Sequence, residues 1–198
     1  MHGPASLPKP GATVQTAAME PVDVLTIRRA TPADLSEVDA LLAYSYPKLL
    51  AADYAPSVLV LALPIISRAR PELLASGSYF VAVNGTGRMV GAGGWTRGTP
   101  DGGDAVRAVG HVRHVVTRAG EVRRGIGRAL MGWVMEDAAS ARIRRLDCLS
   151  TRTAVPFYKA LGFRATGPVE VPLRPGIVFP AVRMHTDLPP PKRKGPVN

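Results

Sequence analysis

The chain has 198 residues, 46% of them hydrophobic, and a formal net charge of +10, which suits one soluble domain with a sizeable core. The single cysteine, Cys148, excludes an intrachain disulfide and points to a reducing compartment. The longest apolar run, Val58 to Ile66, is broken by Pro64 and too short to cross a bilayer, and no signal-peptide pattern is visible, so a cytoplasmic protein without membrane contact is expected.

Residues 1–22 hold prolines and glycines without apolar period and read as a disordered extension. Met19 stands directly before the patterned segment, so either Met1 or Met19 can be the natural start. Val24 to Ala30 reads as a strand. Thr31-Pro32-Ala33-Asp34 reads as a helix start, with a Thr cap and Pro at the first helical position. That helix is expected to run to about Tyr46, where Pro47 ends it, with Leu35, Val38, Leu41 and Leu42 on its apolar face. A second helix, from Pro56 to about Arg68, is expected to kink at Pro64. Tyr79 to Val83 and Arg88 to Trp95 read as a hairpin about the turn Asn84-Gly85-Thr86-Gly87, followed by a turn-rich loop near residues 98–104. After a strand and helix considered below, Ile143 to Leu149 reads as a strand, with Cys148 as a small core residue rather than a nucleophile. Thr153 to Leu161 reads as a short helix with Gly162 as its C-cap. Phe163 to Gly167 opens a strand, 169–176 is proline-broken, and Ile177 to Thr186 is the last strand, with Pro180 marking an edge or a bulge. Residues 188–198 read as a flexible Pro/Lys tail, so the domain is expected over 23–187.

The stretch that carries chemistry is Val109 to Gly127, VGHVRHVVTRAGEVRRGIG. Its first nine residues alternate as a strand, with Gly110, Val112, His114 and Val116 on one side and Val109, His111, Arg113, Val115 and Thr117 on the other. A polar turn and Gly125-Ile126-Gly127 then open an apolar helical pattern. A helix start has backbone N–H groups without internal partners, glycines let a phosphate approach them, and Arg123, Arg124 and Arg128 add charge. Ten arginines lie between residues 107 and 152. They fit a polyanionic ligand beside a solvated surface better than nucleic acid, because no basic helix face with interleaved aromatics is present.

Two segments resemble signatures of the GNAT superfamily of acyl-CoA-dependent N-acyltransferases. Gly125 and Gly127 match the glycines of its Gln/Arg-x-x-Gly-x-Gly/Ala loop between strand and helix, while Val122 departs from the Gln/Arg position. Ala154 to Phe163, AVPFYKALGF, is similar to its A-x-x-F-Y-x-x-L-G-F element. The resemblance implies an α/β (α+β) fold: a mixed, mainly antiparallel central sheet flanked by helices on both faces, whose central strands splay to take a thioester. It also implies acetyl transfer from acetyl-CoA, as co-substrate and without a metal, directly to a primary amine.

On that resemblance the backbone of Val122, Arg123, Arg124, Gly125, Ile126, Gly127 and Arg128 holds the phosphates, and that of Val115, Val116 and Thr117 pairs with the pantetheine arm. Thr151 is a further candidate cofactor contact. Tyr158 is the expected proton donor to the departing thiolate, and His111 a candidate base. Tyr44, Tyr46, Asp53 and Tyr54, on the helix pair, are candidate acceptor contacts. No His/Cys/Asp spacing supports a metal site. A small-molecule amine is the expected acceptor, a homodimer is a further expectation, a non-catalytic acyl-CoA-binding or sensor module is the first rival reading, and a basic nucleic-acid-binding protein is the second.

Overall fold

The computed structural model describes residues 24–99 and 106–190. The expected disorder of 1–22, the choice of start, most of the loop near 98–104 and most of the C-terminal tail lie outside those residues. Strands β1 (Thr26–Arg29), β2 (Tyr79–Val83), β3 (Met89–Thr96), β4 (Val109–Thr117), β5 (Arg145–Ser150), β6 (Arg164–Arg174) and β7 (Ile177–Asp187) form one sheet. Their spatial order is β1-β2-β3-β4-β5-β7-β6. All neighbours are antiparallel except β4 and β5, which run parallel. Helices α1 (Leu35–Leu50), α2 (Pro56–Ile66) and α3 (Pro71–Leu74) follow β1, α4 (Ile126–Ser140) joins β4 to β5, and α5 (Val155–Lys159) follows β5. This is the α/β architecture expected from the sequence.

Period-2 alternation sends adjacent strand residues to opposite layers. Tyr79 and Val81 meet Val38, Leu41 and Leu42 of α1 and Leu73 and Leu74 of α3. Phe80, between them, joins Trp95, Val112 and Leu146 under Leu130, Met131, Val134 and Ala138 of α4. A third cluster, Leu50, Tyr54, Leu59 and Ala62 with Phe179, seats α2 against β7. The start of α1 is pinned by Asp34, which accepts two bonds from the Arg28 guanidinium (2.7 and 2.9 Å) and one from the Thr31 amide (2.7 Å). Those donors, Arg28 first, lower its pKa to about 2.

Four boundaries differ from the sequence reading, each for a local reason. Helix α1 does not stop at Pro47 but continues to Leu50. The proline lies on the exposed side of the helix, while Leu50 beyond it is buried against α2, and that burial outweighs the lost backbone bond. Pro64 likewise sits inside α2, which ends at Ile66. Residues 169–176 are not broken by their prolines: β6 runs unbroken to Arg174, because it is an edge strand, where alternate backbone positions face solvent. Leu188, assigned to the tail, is buried and its amide bonds the Arg144 carbonyl at 2.7 Å, so the core reaches past 187.

Candidate active site

Strands β4 and β5 pair over only three residue pairs, Val109 with Arg145, Gly110 with Leu146 and His111 with Asp147. Beyond His111 they diverge, which leaves the β5-facing backbone edge of β4 unmatched from Val112 to Thr117. A bulge sits in this stretch. Against β3, Gly94 pairs with Arg113 but Ala92 pairs with Val116, so His114 and Val115 both stand opposite Gly93. His114 has φ +44°, and the Tyr79 hydroxyl donates to its carbonyl at 3.0 Å. Gly93 is required here, since a Cβ on it would lie 2.8 Å from Val115 Cγ2. The extra residue reverses the alternation. Val115 packs with Val112 on the α4 side, and Val116 packs on the α1 side. The sequence reading, which placed Val115 and Thr117 on the face of His111 and Arg113 and Val116 on the opposite one, is corrected by this bulge. No alternation rule reveals a bulge when both flanking residues are β-branched.

Past Thr117 the chain makes a short turn, Ala119–Glu121, and enters α4 through Arg123 (φ +67°) and Gly125 (φ +81°). The first intrahelical bond runs from Ala129 N to Gly125 O at 2.9 Å, so the amides of Ile126, Gly127 and Arg128 are unclaimed by the helix. Two left-handed residues followed by a helix start turn consecutive N–H groups toward one concavity, an arrangement that binds anions. Gly127 is a close-approach glycine: a Cβ would lie 3.1 Å from both Phe157 Cε2 and Thr117 Oγ1. The residues expected to form the cradle are thus brought together, with Val122, Arg123, Arg124 and Arg128 exposed. Arg124 forms an ion pair with Glu121, so its charge is partly neutralised.

Tyr158 of α5 is 5% exposed, with its ring edge-on to Phe157 (5.1 Å) and Phe163 (5.2 Å). Burial, and then the neighbouring Cys148 and Tyr46, hold its phenol well above the ordinary tyrosine range. The same burial pushes the Cys148 thiol up to about 12 and raises the Tyr46 phenol. Tyr46, read from the sequence as an acceptor contact, therefore lies close enough to Tyr158 and Cys148 for their charges to interact. Composition gave no sign that Cys148 would stand beside the catalytic candidate; only the fold brings α1, β5 and α5 together.

The other candidates are placed as follows. Tyr54 is buried and committed. Its hydroxyl donates to Pro180 O (2.9 Å) and accepts from Arg152 N (2.7 Å), and its ring stacks on Phe179 at 4.7 Å. It ties the α1–α2 turn to β7 and to the turn before α5, so its hydroxyl is engaged within the fold rather than offered to an acceptor as expected. Tyr44 is exposed, with Lys48 Nζ 3.2 Å from its ring centroid and the Arg118 guanidinium at 4.2 Å. Asp53 is exposed in the α1–α2 turn. The Thr151 hydroxyl accepts from Ala154 N at 3.3 Å and so caps the turn before α5. His111 is partly buried opposite Thr96, on the same face of β4 as Arg113. His114 is kept neutral: burial first, then Arg113 and Arg70, lower its pKa to about 4. Among the described residues, no group of three or more His, Cys, Asp or Glu side chains is placed to hold a metal ion.

A family model for the GNAT acetyltransferase domain matches residues 55–185. The chain belongs to the GNAT acetyltransferase family. No curated protein matches the sequence. A GCN5-related N-acetyltransferase from Rhodopseudomonas palustris is 19% identical, with a TM-score of 0.64 over 82% of this chain and 95% of that one. A GNAT acetyltransferase from Staphylococcus aureus is 16% identical, with a TM-score of 0.60 over 84% and 100%. The PaiA N-acetyltransferase from Thermoplasma acidophilum, solved with coenzyme A, is 12% identical, with a TM-score of 0.58 over 83% and 99%. These likenesses concern the fold; the splayed β4–β5 pair and the glycine loop at the head of α4 are the GNAT features of this chain.

Proposed function

We propose that this protein transfers an acetyl group from acetyl-CoA directly to a primary amine of a small-molecule acceptor. The observation that carries the reading is the gap between β4 and β5, which has the anion cradle at its mouth and a buried, protonated phenol beside it. The backbone of Val122 to Arg128 would hold the phosphates, and Gly127, where a Cβ would crowd Phe157 and Thr117, lets the head of α4 sit close against β4 and α5. The unmatched edge at Val115 to Thr117 would pair with the pantetheine amides, as an added strand does. Thr151, whose hydroxyl already caps a turn, contributes at most its free lone pair.

In the transfer the amine nitrogen attacks the thioester carbonyl, a C–N bond forms and the C–S bond breaks. His111 would take the proton of the amine, directly or through water, and Tyr158 would give one to the departing sulfur. The burial of Tyr158 and Cys148 makes the second step reasonable. Cys148 shows what this environment does to a thiol, raising its pKa to about 12. A CoA thiolate released there becomes a strong base, able to take a proton even from a phenol whose own acidity is suppressed. The transferase unit is assigned to 23–187 together with Leu188, in a reducing cytoplasmic setting and possible as a homodimer.

The test is a thermal-shift titration with acetyl-CoA, desulfo-CoA and ATP, followed by a thioester-consumption assay over an amine panel. A specific ligand at a hundredfold excess over its Kd stabilises the fold by about 2.7 kcal/mol. Shifts with both CoA species and little with ATP support the cradle and the arm-binding edge. Equal shifts with all three reduce the loop to a generic anion patch.

A further inference from the structure

On the face of β4 that carries His111, the next side chain toward the bulge is Arg113, two residues on. Strand geometry sets such neighbours about 7 Å apart. Arg113 is partly buried, and among the described residues its one hydrogen bond runs from Nη1 to Thr96 Oγ1 at 3.1 Å. A guanidinium carries five N–H donors in a planar fork, so most of this fork has no partner among the described residues. Desolvating a cation without an ion partner is unfavourable, and acetyl transfer as described above makes no use of it. The surroundings add positive charge. Arg70 of the turn before α3 is close enough to lower the Arg113 pKa, after the larger effect of burial, and Glu72 opposes it. Glu72 is 66% exposed and faces Arg70 at 3.7 Å, so it leaves the Arg113 fork open. The one ionisable neighbour on the bulge, His114, is held neutral by burial first and then by the same two arginines.

We propose that the Arg113 fork, supported by Arg70, receives a carboxylate of the acceptor, so that the substrate is a primary amine bearing a carboxylate a few bonds from its nitrogen. This rests on the acetyl-transfer reading for the role of the amine but not for the existence of the anion subsite. With the carboxylate on Arg113 and the amine toward His111, the spacing of the two side chains admits amino acids with the two groups one to a few carbons apart. A planar carboxylate takes two parallel N–H bonds from arginine, which a neutral amide cannot match. A polyamine or a lysine-rich peptide meets like charge at the same place.

The test uses the full chain and two independent readouts. In the first, CoA is saturating and binding of N-acetylglycine, N-acetyl-β-alanine, N-acetyl-γ-aminobutyrate and N-acetylphenylalanine is compared with that of their carboxamides by thermal shift. At least one acid is expected to bind about tenfold or more tighter than its amide. Arg113→Gln should bring acid and amide within about twofold while acetyl-CoA affinity stays unchanged, and Arg113→Lys should fall between. Equal binding of acids and amides by the wild type, no binding of any acid, or a preference that survives Arg113→Gln would overturn the proposal. If Arg113→Gln does not fold, the wild-type comparison and Arg113→Lys still decide. The second readout is turnover of the free amino acids against the matched alkylamines. Tight binding of the acids with no acetylation of any amine would sink the transferase reading and leave the carboxylate subsite standing. Acetylation of the neutral amines as efficiently as the acids would do the reverse.

Discussion

On the proposed reading the two ends of β4 serve the two halves of the site, and they are built from different material. Beyond the bulge, from Val115 through Thr117 to Arg128, the cofactor half consists of backbone: an unmatched strand edge, two left-handed residues and the open amides of a helix. Before and at the bulge, around His111, Arg113 and His114, the acceptor half consists of side chains drawn from β3, β4 and the turn before α3. A backbone site tolerates side-chain change but not volume or conformational change. A side-chain site does the opposite, and because its groups ionise and are buried, it ties the stability of that half to pH.

That contrast can be broken or sharpened by mutation. The largest effect is expected from Tyr158→Phe, which removes one oxygen from the pocket between the halves. It should lower kcat by about 10²–10⁴ with little change in the KM for acetyl-CoA, measured by steady-state thioester consumption. An unchanged kcat would remove Tyr158 from the mechanism. Gly127→Val comes next. It drives a branched side chain into Phe157 and Thr117, already 3.1 Å from an added Cβ, and should destabilise by ~1–3 kcal/mol and weaken acetyl-CoA binding by about tenfold or more, read by calorimetric titration.

The acceptor half should be acid-labile. The folded-state pKa of His114 is about 4, below its unfolded value of about 6.5. The unfolded chain therefore binds the extra proton between those values, and stability falls as pH drops through that window, by up to ~3 kcal/mol. His114→Asn, which keeps a residue tolerant of positive φ, should flatten this part of the denaturation profile. Asp34 acts in a lower window. Its folded pKa of about 2 lies under the usual ~3.9, so its contribution is present above pH 4 and is lost as pH falls toward 2. Asp34→Ala should cost about 2 kcal/mol at pH 7, measured by urea unfolding. The smallest effect is expected at Val122, where the family's Gln/Arg is missing. If the cradle is backbone, Val122→Ala changes acetyl-CoA affinity less than about twofold, and a larger loss would show that the side chain at this position matters after all.

The same contrast explains what could be read from the residues. The cradle was legible because backbone binding leaves a local mark: Gly125 where φ is positive, Gly127 where another chain segment comes close, and an apolar helix pattern after them. The mixed, mainly antiparallel sheet and the splay followed from the resemblance, and the strand and helix types from periodicity. The acceptor half was not legible, because its parts are far apart in sequence and each residue has an ordinary structural alternative. Tyr54 looked like a contact and is a clamp, held by Pro180 and Arg152. Tyr46 looked like an acceptor contact and lies with Cys148 and Tyr158. Arg113 lay in plain view two residues from His111, and its importance depends on burial, which no single sequence states. The bulge at His114 escaped because Val115 and Val116 suit either face.

The central claim is that acetyl-CoA lies along the β4 edge with its phosphates on the head of α4. Amide hydrogen exchange of the full chain, with and without acetyl-CoA, tests it most directly. The account predicts slowed exchange at Val115 to Thr117 and at Gly125 to Arg128, with the hairpin of β6 and β7 unchanged. Protection confined to other segments, or none at these amides under saturating acetyl-CoA, would contradict it.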